Sequence, residues 1–456
     1  MMFRKRILKL HPATLILLSF LLVIIIGTLL LKLPVSTRGG HITWIDALFT
    51  STSAVCVTGL IVVDTGSFFT LFGQSVILIL IQIGGLGVMT ISVAMFRWIG
   101  KSISFRHRMV MQDVFAHTPR EDILGLVKST IFFTLGAEIL GTIFLSIYWG
   151  QRLPFLNAVY TALFHSISAF CNAGFSLFSD SMSKYGSSIF LNTVMCLLIV
   201  IGGIGFPVLY DVQSWFKIQK NKRLRLSVQT KTVLVTTILL IAGGAIMFAF
   251  LEHHTLDESA SLSHRILISI FQSITCRTAG FNTVDIGSLR DVTLFLMIFL
   301  MFIGASPGSC GGGVKTTTLA LISAFTLSKI RGKKRVNIFK KSIPVEAVNR
   351  SISLILVSFC VIGIILFMLL MDESPGPHNI SDNPRSFLAY FFETVSAFGT
   401  VGLSMGVTPE LSTWSKLWLN ITMIIGRVGV LTFSYIIVSN RSANGIEYSE
   451  ENLMIG

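Results

Sequence analysis

Four short stretches of the sequence carry the residue types from which a cation site can be built. They read S-A-V-C-V-T-G-L at 53–60, S-A-F-C-N-A-G-F at 168–175, T-C-R-T-A-G-F at 275–281 and S-A-F-G-T-V-G-L at 396–403. Each sets one glycine behind two small, β-branched or polar residues: Val57, Thr58 and Gly59; Asn172, Ala173 and Gly174; Thr278, Ala279 and Gly280; Thr400, Val401 and Gly402. The chemistry on offer is that of main-chain carbonyls. A dehydrated monovalent cation needs several oxygen ligands in place of water, and carbonyls supply partial charge without the grip of a fixed carboxylate. Glycine allows the dihedrals that aim successive carbonyls at one axis and leaves no side chain in the path.

The four stretches recur in phase. Their glycines are 115, 106 and 122 residues apart, and a second motif begins its glycines 24 to 28 residues after each. That motif reads I-G-G-L-G at 83–87, I-G-G-I-G at 201–205, I-G-A-S-P-G at 303–308 and I-G-R-V-G at 425–429. Two motifs repeating together four times mark an internal repeat. Phe49, Phe164 and Phe392 lie ten residues before their glycines, but Phe271 lies nine before Gly280. The third block is therefore expected to adjust locally in its short helix. Glycines can also serve only close helix packing in a membrane; that reading suits Gly84, Gly85, Gly202 and Gly203 in mid-span better than the four in polar bends.

Elements that could position these stretches follow from hydropathy. The amphipathic segments at 46–55, 157–170, 264–275 and 385–398 are too short and too polar to cross a bilayer, so they fit re-entrant helices whose C-terminal ends bring partial negative charge inward. The irregular backbone that follows is tolerated at membrane depth only where protein surrounds it or it lines water. Apolar runs able to cross a core of about 30 Å lie at 13–33, 71–91, 131–148, 191–209, 233–251, 292–303, 352–371 and 417–438. The expected fold is an all-α membrane protein: four tandem span–pore loop–span repeats around one central pore, with eight spans. The repeats are read as 1–110, 111–225, 226–341 and 342–440, followed by a polar tail at 441–456.

Composition agrees. Of 456 residues, 52% are hydrophobic and only 13% charged, about half the charge of a soluble domain. The net charge of +14 is concentrated in alternate connections, such as Arg4, Lys5, Arg6 and Lys9, or Lys329, Arg331, Lys333, Lys334 and Arg335. The positive-inside rule places these, and both termini, in the cytoplasm. Without aromatic residues interleaved on a basic face, nucleic acid is not the expected partner; anionic headgroups compete with a protein partner for these loops. Six scattered cysteines and nine scattered histidines suggest no disulfide framework, zinc site or catalytic constellation, so no enzyme is expected.

The third block's second span is broken. Gly304, Ala305, Ser306, Pro307, Gly308, Ser309, Cys310, Gly311, Gly312 and Gly313, followed by Val314, Lys315 and three threonines, cannot keep a regular helix cheaply. A broken helix at this depth must line a cavity, which puts 304–318 below the four stretches. Its likeness to a phosphate-binding G-x-x-x-x-G-K-T loop fails, because Val314 precedes Lys315 where glycine is required. Arg427, in mid-span, must face water or a partner. Glu138 is the candidate acid. At roughly 7 Å and an effective dielectric near 20, Arg427 would oppose a passing cation by about 2.4 kcal/mol.

On these motifs, from 13 to about 440, the sequence resembles the Trk/Ktr/HKT superfamily of potassium transporters, and within it the KtrB-type membrane subunits. The resemblance implies potassium, K+, as the ion at the four stretches. Glycine at all four positions goes with potassium selectivity, serine in the first with sodium transport. It further implies that 304–318 is an intramembrane gating loop with Arg427 beside it, that the chain forms a homodimer, and that it sits on a cytosolic RCK-type ring (KtrA-like). ATP, ADP or NADH would then bind the partner, and sodium, Na+, remains open as an activating ion. Alternating access is the competing mechanism, but the repeats run parallel and the acids Asp46 and Glu393 are not paired at mid-span, unlike the usual pattern for such folds.

Overall fold

The computed structural model describes residues 12–98, 123–216, 226–253, 262–373 and 386–430. The chain is helical, and the strands among the described residues form one small hairpin, β1 (Asn337–Ile338) against β2 (Lys341–Ser342). A long helix, a short helix and a further long or broken helix follow one another four times. The first group is α1 (Pro12–Leu31), α2 (Trp44–Cys56) and α3 (Leu71–Trp98). The second is α4 (Ile123–Trp149), α5 (Phe155–Phe170) and the pair α6 (Ile189–Ile204) and α7 (Phe206–Phe216). The third is α8 (Val228–Leu251), α9 (Leu262–Thr275) and the pair α10 (Asp291–Phe302) and α11 (Thr316–Ile330). The fourth is α12 (Val345–Glu373), α13 (Ser386–Gly399) and α14 (Thr413–Val428).

Among the described residues three single helices are long and apolar enough to cross a membrane: Ser129–Trp149 within α4, then α8 and α12. The α6–α7 pair qualifies together but is bent by 95°. The eight expected spans are therefore not eight straight helices, and the reason lies in the second sequence motif. Its last glycine takes a positive φ of 33° at Gly87 in α3, 100° at Gly205 between α6 and α7, and 94° at Gly429 after α14. In the third group the loop 303–315 interrupts at the same place. Each inner helix breaks where its motif ends.

Polarity is inverted relative to a water-soluble protein. Leu22, Ile25 and Leu29 of α1, Phe132 and Ile139 of α4, Leu239 and Phe250 of α8, and Leu356 and Phe359 of α12 face outward. Ser51, Thr52, Ser53, Ser166, Gln272, Thr394 and Ser396 are buried. So broad an apolar exterior is unstable in water and is satisfied by lipid. Inside, the in-phase phenylalanines Phe49, Phe164, Phe271 and Phe392 are all buried. One apolar cluster joins the first and last groups, with Phe49, Cys56 and Leu60 against Leu369, Ala397, Leu419 and Met423. The groups close into a ring.

The block boundaries at 110, 225 and 440, the tail at 441–456 and the basic residues Arg4, Lys5, Arg6 and Lys9 lie outside the described residues.

Candidate functional site

At each of the four stretches a residue in the left-handed region follows within three positions of the short helix's end: Val57 (φ 57°), Asn172 (φ 60°), Thr278 (φ 108°) and Thr400 (φ 50°). A β-branched side chain at positive φ is costly; three of these four residues are β-branched, and all four hold the same position, two before the glycine. The turn is held by repeated bonds. Thr58, Ala173 and Val401 donate their N–H groups to the carbonyls of Ser53, Ser168 and Ser396 at 2.8, 2.7 and 2.9 Å. The hydroxyls of Ser53 and Ser396 accept from Gly59 N–H and Gly402 N–H, both at 3.1 Å. Those of Ser168 and Thr275 donate to the Phe175 and Phe281 carbonyls, at 2.8 and 2.6 Å.

The one-residue shortening of the third stretch is absorbed here. Ala279 N–H reaches back four residues to the Thr275 carbonyl at 2.9 Å, where its counterparts reach back five. Phe271 keeps the same four-residue separation from Thr275 that Phe49 has from Ser53. The adjustment expected within the short helix therefore falls just after it, between Thr275 and Gly280, and spares α9 itself.

The structure brings Gly59, Gly174, Gly280 and Gly402 together. A Cβ on Gly59 would meet the Ala173 carbonyl oxygen, one on Gly174 that of Ala279, one on Gly280 that of Val401, and one on Gly402 that of Thr58. Each glycine therefore faces the carbonyl of the next group, and the fourth faces the first. The ring is complete. Val57, Thr58, Asn172, Ala173, Thr278, Ala279, Thr400 and Val401 are all buried, yet among the described residues none of their carbonyl oxygens accepts a hydrogen bond. Buried carbonyls without donors are rare, and a set of them around one centre calls for a cation or its water.

The second motif packs against this ring. A side chain at Gly84, Gly202 or Gly426 would collide with the main-chain carbonyl of Val55, Phe170 or Phe398, so close helix approach explains these glycines. Arg427 occupies the place that Gly85, Gly203 and Ala305 hold in the other groups. Its guanidinium donates to the carbonyl oxygens of Cys310 and Gly84. Glu138, the acid suggested for it, instead accepts from Gln82 at 3.2 Å. Arg427 is tied to backbone.

The segment 304–315 is held from several sides. Ser306 and Cys310 donate their N–H groups to the carbonyls of Gly203 (3.1 Å) and Gly202 (3.2 Å), and Gly313 donates to that of Gly426 (3.3 Å). The Gly308 carbonyl accepts from Phe206 N–H at 2.9 Å, and the Thr400 hydroxyl accepts from Gly312 N–H at 2.9 Å. Lys315 Nζ returns to the Gly311 and Gly312 carbonyls at 2.7 and 3.3 Å. The segment thus touches α6, α7, α14 and the fourth stretch, beside the carbonyl ring.

The acids Asp46 and Glu393 have partners that the sequence does not mark. Glu393 is fully buried and accepts from the Ser404 hydroxyl and, at 3.0 Å, from the Thr408 hydroxyl, bracing the chain beyond Gly402. Asp46, at the head of α2, pairs with Lys416 of α14 at 2.9 Å and so bolts the first group to the last. With both side chains largely buried, Lys416→Met should cost between the ~1 kcal/mol of exposed pairs and the ~3 kcal/mol of buried ones. The expected readout is a melting temperature several degrees lower in detergent, with little further loss when Asp46→Asn is added.

A family model described as TrkH, cation transport protein, matches residues 8–444. The chain is 39% identical over 451 residues to Ktr system potassium uptake protein B of Bacillus subtilis, covering 98% of this chain and 97% of that one. It is 40% identical to the protein of the same description from Vibrio alginolyticus, over 97% and 94% of the two chains. It is 37% identical to potassium/sodium uptake protein NtpJ of Enterococcus hirae, over 99% of each. Among solved structures it is similar to the potassium transporter TrkH from Vibrio parahaemolyticus, with a TM-score of 0.68, 19% identity, and coverage of 92% of this chain and 84% of that one.

Proposed function

The chain belongs to the TrkH family of cation transport proteins, and from that premise we propose that it takes up potassium through the axis ringed by Gly59, Gly174, Gly280 and Gly402. The observation that carries this reading is the ring itself, in which each glycine faces the buried carbonyl of the next group and, among the described residues, none of these carbonyls accepts a hydrogen bond. An ion entering there exchanges hydration for main-chain oxygens, and the ends of four short helices add favourable field. Two of the relatives are potassium uptake proteins by name, and a third is a potassium/sodium uptake protein. We read the four glycines as favouring potassium.

In the same reading 304–318 is the gate, with Thr316, Thr317 and Thr318 already in the first turn of α11, and Arg427 is its fastener; the eight spans are the four long outer helices with four broken inner ones, and the basic connections face the cytoplasm. A second copy of the chain and a cytosolic RCK-type ring that binds the nucleotide are the proposed partners. The test is rubidium uptake into liposomes holding the purified protein, with potassium or sodium as competitor. Saturable uptake that potassium suppresses at much lower concentration than sodium is expected. Equal competition would overturn the ion assignment, and the absence of any flux, with and without an RCK-type ring added, would overturn the pathway.

A further inference from the structure

Two cavities adjoin along α11, the smaller at its end farther from the carbonyl ring. The smaller, of 370 Å3, is lined by Lys329, Lys333, Lys334 and Arg335, with no acid on its wall among the described residues. The larger, of 760 Å3, runs from Ile338 and Pro344 past Leu321 to Thr317 and Pro307 of the segment beside the ring. Asp211 on its wall is taken up by the Ser227 N–H (3.0 Å) and the Thr230 hydroxyl (2.6 Å). Ser342, Ile343 and Pro344 belong to both linings. A cationic mouth therefore opens beside a mainly apolar chamber.

Depth fixes what fits. At 1.5 Å per residue, the thirteen steps from Thr316 to Lys329 descend about 20 Å. Half the hydrocarbon core is about 15 Å, so a helix starting near the midplane delivers Lys329 to the headgroup layer. Basic pockets between helices at that level suit anionic headgroups. We propose that the two cavities together hold one anionic phospholipid, its phosphate among Lys329, Lys333, Lys334 and Arg335 and an acyl chain in the larger chamber as far as Pro307. A soluble phosphate would use the first cavity and leave the second without purpose.

Native mass spectrometry of the whole protein in neutral detergent, titrated with phosphatidylglycerol or phosphatidylcholine, tests this. One retained phosphatidylglycerol per chain is expected, with retention at least tenfold weaker in K333Q/K334Q/R335Q and also in Leu321→Trp, which fills the chamber. Phosphatidylcholine should bind far more weakly to all three proteins. Retention of phosphatidylglycerol unchanged by either variant would overturn the proposal. So would displacement by millimolar inorganic phosphate together with indifference to Leu321→Trp, which would identify a soluble anion. The readout is binding alone, so its failure is separate from any failure of the transport reading.

Discussion

Replacing Gly59 with serine should lower the preference of uptake for potassium over sodium about tenfold or more, and the same change at Gly174, Gly280 or Gly402 should act alike. At Gly59 φ is 95°, and the added Cβ would press on the Ala173 carbonyl oxygen. The conformation costs an L-residue about 1–2 kcal/mol, and the collision adds to that unless the ring widens. Discrimination between two alkali ions is a difference of small terms, tenfold for each 1.4 kcal/mol, so a widened ring does not need to collapse to lose it. Gly406 supplies the control. Its φ is 92°, but nothing lies within 4 Å of its Cβ position, so Gly406→Ser carries the backbone strain without touching the ring. Competition of potassium and sodium for rubidium uptake reads the result. If Gly59→Ser and Gly406→Ser gave the same ion preference, the carbonyl ring would not be the selecting element.

The sequence made the four glycines legible because they sit in phase with a second motif, and two periodicities constrain each other. It also marked Gly84 and Gly202 as packing residues, since small residues in mid-span have few other uses. It could not reveal that Val57, Thr278 and Thr400 adopt left-handed backbone, because β-branched residues disfavour positive φ and only Asn172 is of a type that tolerates it; that conformation is imposed by the bonds that fold the chain back over Ser53, Ser168, Thr275 and Ser396. The shortening at Phe271 is visible in the sequence, but it falls in the turn after Thr275 and not in the short helix where it is expected, since a deletion can be absorbed anywhere between two fixed points. Asp46 and Lys416 are 370 residues apart, and only closure of the ring makes them neighbours. Charge complementarity is what a sequence displays, and it points Arg427 toward an acid such as Glu138. The structure supplies carbonyls, which every residue carries and no sequence marks.

That difference in partners changes what Arg427 should do. As a bare charge it would slow ions wherever it lay near the axis, and Arg427→Lys would act like the native residue. As a fork spanning the Cys310 and Gly84 carbonyls, it fastens 304–315 to α3, and a lysine, with a point charge and no planar fork, cannot bridge both. Hydrogen bonds to charged groups contribute about 1.5–3 kcal/mol each. Releasing two of them should favour a displaced segment enough to raise uptake tenfold or more in Arg427→Ala, with Arg427→Lys closer to alanine than to arginine. Removing 305–313 eliminates Cys310, one of the two anchors, together with the Ser306 and Gly313 bonds to Gly203 and Gly426, and should raise uptake at least as far. The two changes share a mechanism, so they should not multiply: in the shortened chain, Arg427→Ala should add less than about threefold. Independent, multiplying effects in liposome flux would mean that the charge and the segment obstruct the ion separately, and the fastening would then be incidental to the barrier.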